Sequence, residues 1–139
     1  MRKALKELVW RRARRTCEYC HMPQEFYRPS FQVDHILAKQ HGGTTVSLNL
    51  ALACYHCNLH KGSNIAGVDS TSGKLRRLFH PRKDVWADHF VWDGPYLKGL
   101  TAVGRATIAV LAINDPLLVA VRELLIADGD FPLLASAQP

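Results

Sequence analysis

Two Cys-x-x-Cys pairs account for every cysteine of this 139-residue chain: Cys17 with Cys20, and Cys54 with Cys57. The basic first 15 residues are not followed by an apolar block of the secretory type, so we expect reduced thiols rather than disulfides. Two such pairs predict a structural zinc site, in which each pair forms a knuckle and four thiolates complete a tetrahedron. A thioredoxin-type redox site fits less well, since it needs only one pair at the start of a helix.

The separation of the two pairs indicates what the zinc would hold. It exceeds the ~15 to 20 residues of a compact zinc ribbon, so the metal is expected to anchor an inserted subdomain. Within that insertion an Asp-His pair ends a predicted strand, and Asn49 stands near the start of a second apolar run. Asn58 directly follows the last cysteine, and Lys61 comes three residues later. Each of these residues alone is weak evidence for a site, because Asp-His pairs are common on protein surfaces.

Taken together, the order and spacing of these residues resemble the HNH endonuclease family over about residues 15 to 64. The resemblance rests on four strings: Val33-Asp34-His35-Ile36, Gly42-Gly43, Asn49-Leu50, and Cys54-x-x-Cys57-Asn58-x-x-Lys61-Gly62. Residues Trp86 to Thr107 also look like an extension found on many bacterial HNH proteins, to which we assign no role. The resemblance implies a ββα-metal core that hydrolyses DNA, leaving 5′-phosphate and 3′-hydroxyl ends.

The resemblance also implies a role for each motif residue. Asp34 and Asn58 would hold a catalytic divalent metal, Mg²⁺ or Mn²⁺, and His35 would be the general base. Asn49 would brace the loop that presents His35. The chemistry is sound: a carboxylate, a carboxamide and waters suit Mg²⁺, and a neutral imidazole can accept the proton of an attacking water.

Asp34 and His35 pose a geometric difficulty, because neighbouring side chains on a regular strand point to opposite faces. The strand must therefore end, twist or bulge at this point if both residues serve one site. In a competing arrangement, His35 binds the metal and Asp34 orients the imidazole. Four cysteines already saturate one zinc, which argues against that alternative.

The net charge of +6 is concentrated at one end of the chain. Residues 1–15 hold seven Lys or Arg against Glu7 alone, whereas the remaining residues are balanced. This asymmetry is typical of proteins that attract a polyanion, although solvated basic helix faces are also common. We predict contacts with the nucleic-acid backbone from this arm, and Lys61 either touches a phosphate or caps a helix end. The predicted contact residues are Arg11, Arg12, Arg14, Arg15 and Lys61.

The predicted elements define an α+β fold: a zinc-stapled ββα core followed by a mainly helical extension. Residues 1–64 would hold the basic helix and nuclease core, and residues 65–139 an extension packed as part of the same domain. The predicted helices are Lys3–Arg15, one starting at Tyr55 and reaching Lys61, and one capped by Thr101 and running to Ile113. A fourth starts at Pro116, is capped by Asp115 and is terminated by Gly129, which lies beyond its end. The predicted strands are Phe31–Leu37, Leu48–Ala53, Val85–Trp92 and Tyr96–Leu100. Residues 62–74 would form a loop, and the residues after Leu134 a loose tail. An apolar stripe on the last helix would belong to the core; it consists of Leu117, Leu118, Val121, Leu124 and Leu125.

Composition limits the other function classes. No apolar run approaches the roughly 18 residues that span a bilayer, so we expect no membrane segment and a cytoplasmic location. The main alternative to a nuclease is a non-catalytic zinc module that binds nucleic acid through the basic arm. A redox protein is the third hypothesis, and it would lack bound zinc.

Overall fold

The computed structural model describes residues 1–133, so the predicted tail after Leu134 lies outside the described residues. Helix α1 (Lys3–Arg12) precedes an antiparallel hairpin of β1 (Gln32–His35) and β2 (Leu50–Ala53), which leads into α2 (Tyr55–Lys61). In the hairpin Val33 pairs with Leu52, and His35 with Leu50. This ββα order and the α+β class agree with the sequence-based prediction.

Helix α1 is shorter than predicted, ending at Arg12 rather than Arg15. Arg14 and Arg15 both take left-handed backbone conformations, with φ of 53° and 55°. These conformations end the helix and turn the chain into the first cysteine pair, because successive left-handed residues cannot continue a right-handed helix. The Arg15 guanidinium then lies 5.1 Å from the centre of the Trp10 ring.

The β1–β2 connection is irregular and tightly packed. It contains two single 3₁₀ turns, Lys39–His41 and Ser47–Asn49. A Cβ at Gly43 would stand 1.7 Å from the carbonyl oxygen of Leu37, so only glycine fits there. Both strands are shorter than predicted, because the residues at their ends nearest the connection belong to this loop. All four residues of β2 are buried.

Up to residue 133, the extension contains two more hairpins and three helices. Strands β3 (Ala66–Val68) and β4 (Leu75–Arg77) pair within a segment predicted to be largely loop. Asp69 closes their turn by accepting hydrogen bonds from the backbone N–H groups of Thr71 and Ser72. A single helical turn, α3 (Trp86–His89), replaces the first half of the predicted strand from Val85. Strands β5 (Phe90–Asp93) and β6 (Tyr96–Gly99) form the predicted hairpin around Gly94, whose φ is 57°.

Two capped helices complete the described chain, α4 (Ala102–Leu111) and α5 (Pro116–Ala127). Thr101 and Asp115 accept hydrogen bonds from the first turns of α4 and α5, as predicted. The apolar stripe on α5 was predicted to be core, but only part of it is. Leu118 is buried, whereas Leu117 and Leu124 are 78% and 70% exposed.

One hydrophobic core joins the ββα unit to the extension. Its buried members include all four cysteines and β2 from the first part, and Phe79, Phe90, Leu97, Leu111 and Ile113 from the second. None of the helices within residues 1–133 combines the length and apolarity needed to cross a bilayer.

Candidate metal centre and active site

The four cysteines converge on one buried cluster. Their Sγ atoms all lie within 4.8 Å of one another, and those of Cys20 and Cys54 are 3.7 Å apart. Tetrahedral zinc with Zn–S bonds of about 2.3 Å requires sulfur atoms roughly 3.8 Å apart. The cluster therefore has the donor set and spacing of a structural zinc site.

Two local structures present these thiols. In the first knuckle the Cys17 N–H donates to Met22 O, and the His21 N–H donates to Cys17 O. In the second, Cys54 is the N-cap of α2, and its Sγ accepts a hydrogen bond from the Cys57 N–H at 3.3 Å. The knuckles thus join the chain after α1 to the junction of β2 and α2.

A shallow cavity of about 460 Å³ lies at the end of β1, beside α2. Asp34, His35 and Asn58 all line it. Strand β1 ends at His35, as the geometric argument requires, so the half-buried imidazole and the buried carboxylate border the same space. The cavity is open on one side and of a size to admit a phosphate group with its neighbouring sugars.

Asp34 is 5% exposed and already has two partners. The Tyr19 hydroxyl donates to Oδ2 at 2.7 Å, and Lys61 Nζ lies 3.1 Å from Oδ2 and 3.3 Å from Oδ1. Burial raises the pKa of Asp34, and the Lys61 charge opposes that shift. A carboxylate offers about four acceptor positions, so Asp34, which lines the cavity, retains capacity for a cation.

Tyr19 was missed by sequence reasoning. Burial and the neighbouring Asp34 hold the pKa of its hydroxyl well above the ordinary value, so it donates its proton to the carboxylate. The position of Tyr19 between Cys17 and Cys20 was the available signal, because a residue inside a knuckle is placed by the metal. The first cysteine pair thereby orients Asp34.

Lys61 does not have either of the predicted roles. Its side chain is 2% exposed, and Nζ also donates to the carbonyl oxygens of His35 and Ile36. A buried ammonium requires such partners, and here they are the carboxylate and the end of β1. Lys61 therefore fixes the backbone that carries Asp34 and His35, and its ammonium is not available to a phosphate.

His35 Nε2 lies 2.9 Å from the hydroxyl oxygen of Thr45. Partial burial lowers the pKa of the imidazole, and the nearby Lys39 charge lowers it further. The ring is therefore neutral at pH 7, the state in which it can accept a proton.

Asn49 contacts both sides of the loop that follows β1. Its amide nitrogen donates to Leu37 O and Thr44 O, at 3.0 and 2.9 Å, and its amide oxygen accepts from the Leu37 N–H at 2.9 Å. These bonds close the loop behind His35. Asn49 does not line the cavity itself.

The arginines at the end of α1 are divided between two environments. Three of them are exposed, as contacts with a nucleic-acid backbone would require: Arg11, Arg14 and Arg15. Arg12 is half-buried, and its Nη2 donates to the carbonyl oxygens of Ser47 and Leu50. One end of the Arg12 guanidinium thus joins α1 to the start of β2, a structural role that the sequence did not indicate, and Arg12 also lines a second cavity.

Comparison with protein families gives a result that agrees with this geometry. The sequence model of the HNH endonuclease family matches residues 17–64. That segment begins at the first cysteine and ends just after α2, so it contains the metal centre and the cavity. We call this matched segment the HNH domain. Searches of curated proteins and of solved structures returned no match.

Proposed function

We propose that this protein is a metal-dependent endonuclease that hydrolyses phosphodiester bonds in DNA, acting in the cytoplasm. The main support is the convergence of Asp34, His35 and Asn58 on one open cavity inside the HNH domain. A carboxylate and an amide can bind a divalent metal, and a neutral imidazole can accept a proton from water; metal-assisted hydrolysis uses both functions.

Asp34 Oδ1 and the Asn58 amide oxygen would hold Mg²⁺ or Mn²⁺, since both are hard oxygen donors beside the same cavity. The bound metal would stabilise the negative charge that develops on the phosphorane and on the leaving 3′ oxygen. Tyr19 and Lys61 oppose protonation of the Asp34 carboxylate and would hold it in place for the cation.

His35 acts as the general base. When Nε2 donates its proton to Thr45 Oγ1, Nδ1 is the unprotonated nitrogen and accepts the proton of the attacking water. Lys61 holds the His35 carbonyl, and Asn49 holds the following loop, so the ring keeps a fixed position. The buried cysteine centre is structural and takes no part in the chemistry.

One observation favours the alternative of a non-catalytic zinc module. The Asp34 carboxylate is buried in an ion pair with Lys61, as a purely structural carboxylate would be. In that case the protein would bind nucleic acid without cutting it.

A plasmid-nicking assay separates the two functions. With Mg²⁺ or Mn²⁺ the wild type should convert supercoiled DNA to nicked circles, and His35→Ala should slow this at least about 100-fold. His41→Ala, at an exposed histidine of the neighbouring 3₁₀ turn, is the matched control and should retain activity. Both variants should keep one equivalent of zinc by elemental analysis. Binding of DNA by the wild type without metal-dependent nicking would establish the alternative.

A further inference from the structure

A second cavity, of about 400 Å³, lies between the end of α1, the first cysteine knuckle and the segment preceding α3. Arginine side chains from two distant parts of the chain line it, Arg12 and Arg14 from the first and Arg82 from the second. We call it the arginine pocket, defined by Arg12, Arg14, Glu18, Arg82 and Trp86. It does not include His35, Asp34 or Asn58.

The arginine pocket has more positive than negative charge. Glu18 accepts a hydrogen bond from Arg82 through one carboxylate oxygen, and from the Leu52 N–H, at 2.8 Å, through the other. Asp84, the second acidic residue of the lining, is already engaged by both terminal nitrogens of Arg77. Among the described residues, Glu18 is thus the one lining carboxylate left to balance Arg12 and Arg82.

The two guanidinium groups are also poorly solvated. The Arg82 side chain is 14% exposed, and Arg12 Nε is buried with no hydrogen-bond partner within residues 1–133. Burial, followed by the charge of Arg12, lowers the pKa of Arg82 to about 10. Neighbouring desolvated cations repel each other, so an anion placed between them would be strongly favoured.

The remaining walls are apolar and aromatic. Phe79, Pro81 and Trp86 line the pocket, and His21 stacks on Trp86 with ring centres 3.9 Å apart. Volumes of 300 Å³ or more are typical of pockets that enclose small organic ligands. A phosphate attached to a flat aromatic group matches both the charged and the apolar part of this lining.

A groove lies next to the arginine pocket. The groove shares Phe79 and Asp84 with the pocket, and its other end is lined by Ile36 and Leu37, which directly follow His35. Lys83 contributes a further positive charge along it.

We propose that the arginine pocket holds one unpaired nucleotide of the nucleic-acid substrate, with its phosphate between Arg12 and Arg82 and its base against the aromatic wall. This inference rests on the proposed function and narrows its substrate. A base in a duplex is stacked and paired, so it would have to be unstacked and unpaired before it could enter the pocket. The pocket thus selects DNA with unpaired nucleotides, such as single strands, flaps or branches, over continuous duplex.

Binding measurements test this directly. In the His35→Ala background without divalent ions, fluorescence anisotropy compares a labelled single strand with a duplex of the same sequence over a salt series. Arg82→Gln should weaken single-strand binding about tenfold and reduce the slope of log K against log[salt] by about 0.7, the loss of one phosphate contact. Lys74→Gln, which removes one exposed charge in the β3–β4 turn outside the pocket, should change neither.

A second variant guards against a folding defect in Arg82→Gln. Glu18→Gln keeps an amide oxygen for the Leu52 N–H but removes the competing anion, so it should tighten single-strand binding. Equal affinity for single strand and duplex, or no response to either pocket variant, would overturn the proposal even if the wild type nicks plasmids. Conversely, single-strand binding that depends on Arg82 in a protein that never cleaves would retain the pocket and reject the nuclease.

Discussion

Asp34 has to meet two requirements, since it is the buried partner of Lys61 and the proposed ligand of a divalent ion. Burial alone would favour the neutral acid, which binds no metal. Lys61 and Tyr19 counteract this by donating to the carboxylate within 3.3 Å. The two residues thereby preserve the charge on which metal binding depends.

Lys61→Met should destabilise the fold by about 3 kcal/mol, because it leaves the Asp34 carboxylate buried without its cation. Urea unfolding of the zinc-loaded protein measures this. Lys39→Met, at an exposed position of the loop after β1, should change the free energy of unfolding by less than about 0.5 kcal/mol. Adding Asp34→Asn to Lys61→Met should recover part of the loss; equal stability of Lys61→Met and wild type would refute the buried pair.

The pH dependence of cleavage should follow the imidazole of His35. A general base acts in its neutral form, so the rate should rise with pH and level off above the pKa of the ring. Burial and Lys39 lower that pKa, which places the midpoint below about 6.5. A divalent cation bound beside the ring would shift the pKa in the same direction, so the sign is unaffected.

Lys39→Gln tests the cause of that shift. Removing the like charge should move the midpoint of the pH–rate profile to higher pH, whereas Lys74→Gln should leave it in place. A wild-type midpoint above pH 7, or a shift to lower pH in Lys39→Gln, would contradict the assignment of His35 as the base.

At the scale of elements, the cysteine centre clamps the knuckle after α1 to the β2–α2 junction. Tyr19, inside the first knuckle, then reaches Asp34 on β1. The zinc site and the cavity are therefore connected through the Tyr19–Asp34 hydrogen bond, although they are expected to hold different ions.

Removal of zinc should abolish cooperative unfolding, because the two knuckles have no other covalent or coordinate link and their cysteines occupy the core. Circular dichroism melting before and after treatment with a zinc-selective chelator measures this. Cys57→Ser should behave like the chelated protein. Withholding Mg²⁺ and Mn²⁺ is the control: the protein should still melt cooperatively, with no more than the lower melting temperature that loss of a native-state ligand causes. An unaltered melt after zinc loss would contradict the structural role.

The ββα order, the start of α2 at Tyr55 and the caps of α4 and α5 were predictable because each depends on local chemistry. Residues such as Thr101 and Asp115 carry their capping signal in their own side chains. The ending of α1 at Arg12 was not predictable, because left-handed arginines are imposed by the knuckle that follows. The burial of Lys61 was also missed: its partners Asp34, His35 and Ile36 are distant in sequence, so their contact is a property of the assembled fold.

At the scale of the whole molecule, the extension shares its core with the HNH domain. The His56 ring, between the second pair of cysteines, hydrogen-bonds to Ala112 O at the end of α4 at 2.8 Å. Arg122 of α5 is fully buried, donates to Pro95 O and Ile113 O, and lies 5.2 Å from the centre of Trp92. The extension therefore covers one side of the metal centre.

A fragment of residues 1–64 should not fold as a stable unit, even with zinc, since it lacks Phe79, Phe90, Leu111 and Ile113 from the shared core. We expect no cooperative thermal transition and poor dispersion of its amide NMR signals compared with the full chain. A zinc-loaded fragment that melts within a few degrees of the full protein would show that the HNH domain is independent.

The central claim is that the protein holds two ions by different chemistry, one by four thiolates and one by the oxygens of Asp34 and Asn58. Crystals soaked in Mn²⁺ and measured at the zinc and manganese absorption edges test it most directly. The account predicts a zinc peak within the four Sγ atoms and a manganese peak bound to Asp34 and Asn58, with the His35 imidazole beside it and not coordinated. Well-ordered crystals with no manganese at that cavity, or with His35 as a ligand, would contradict it.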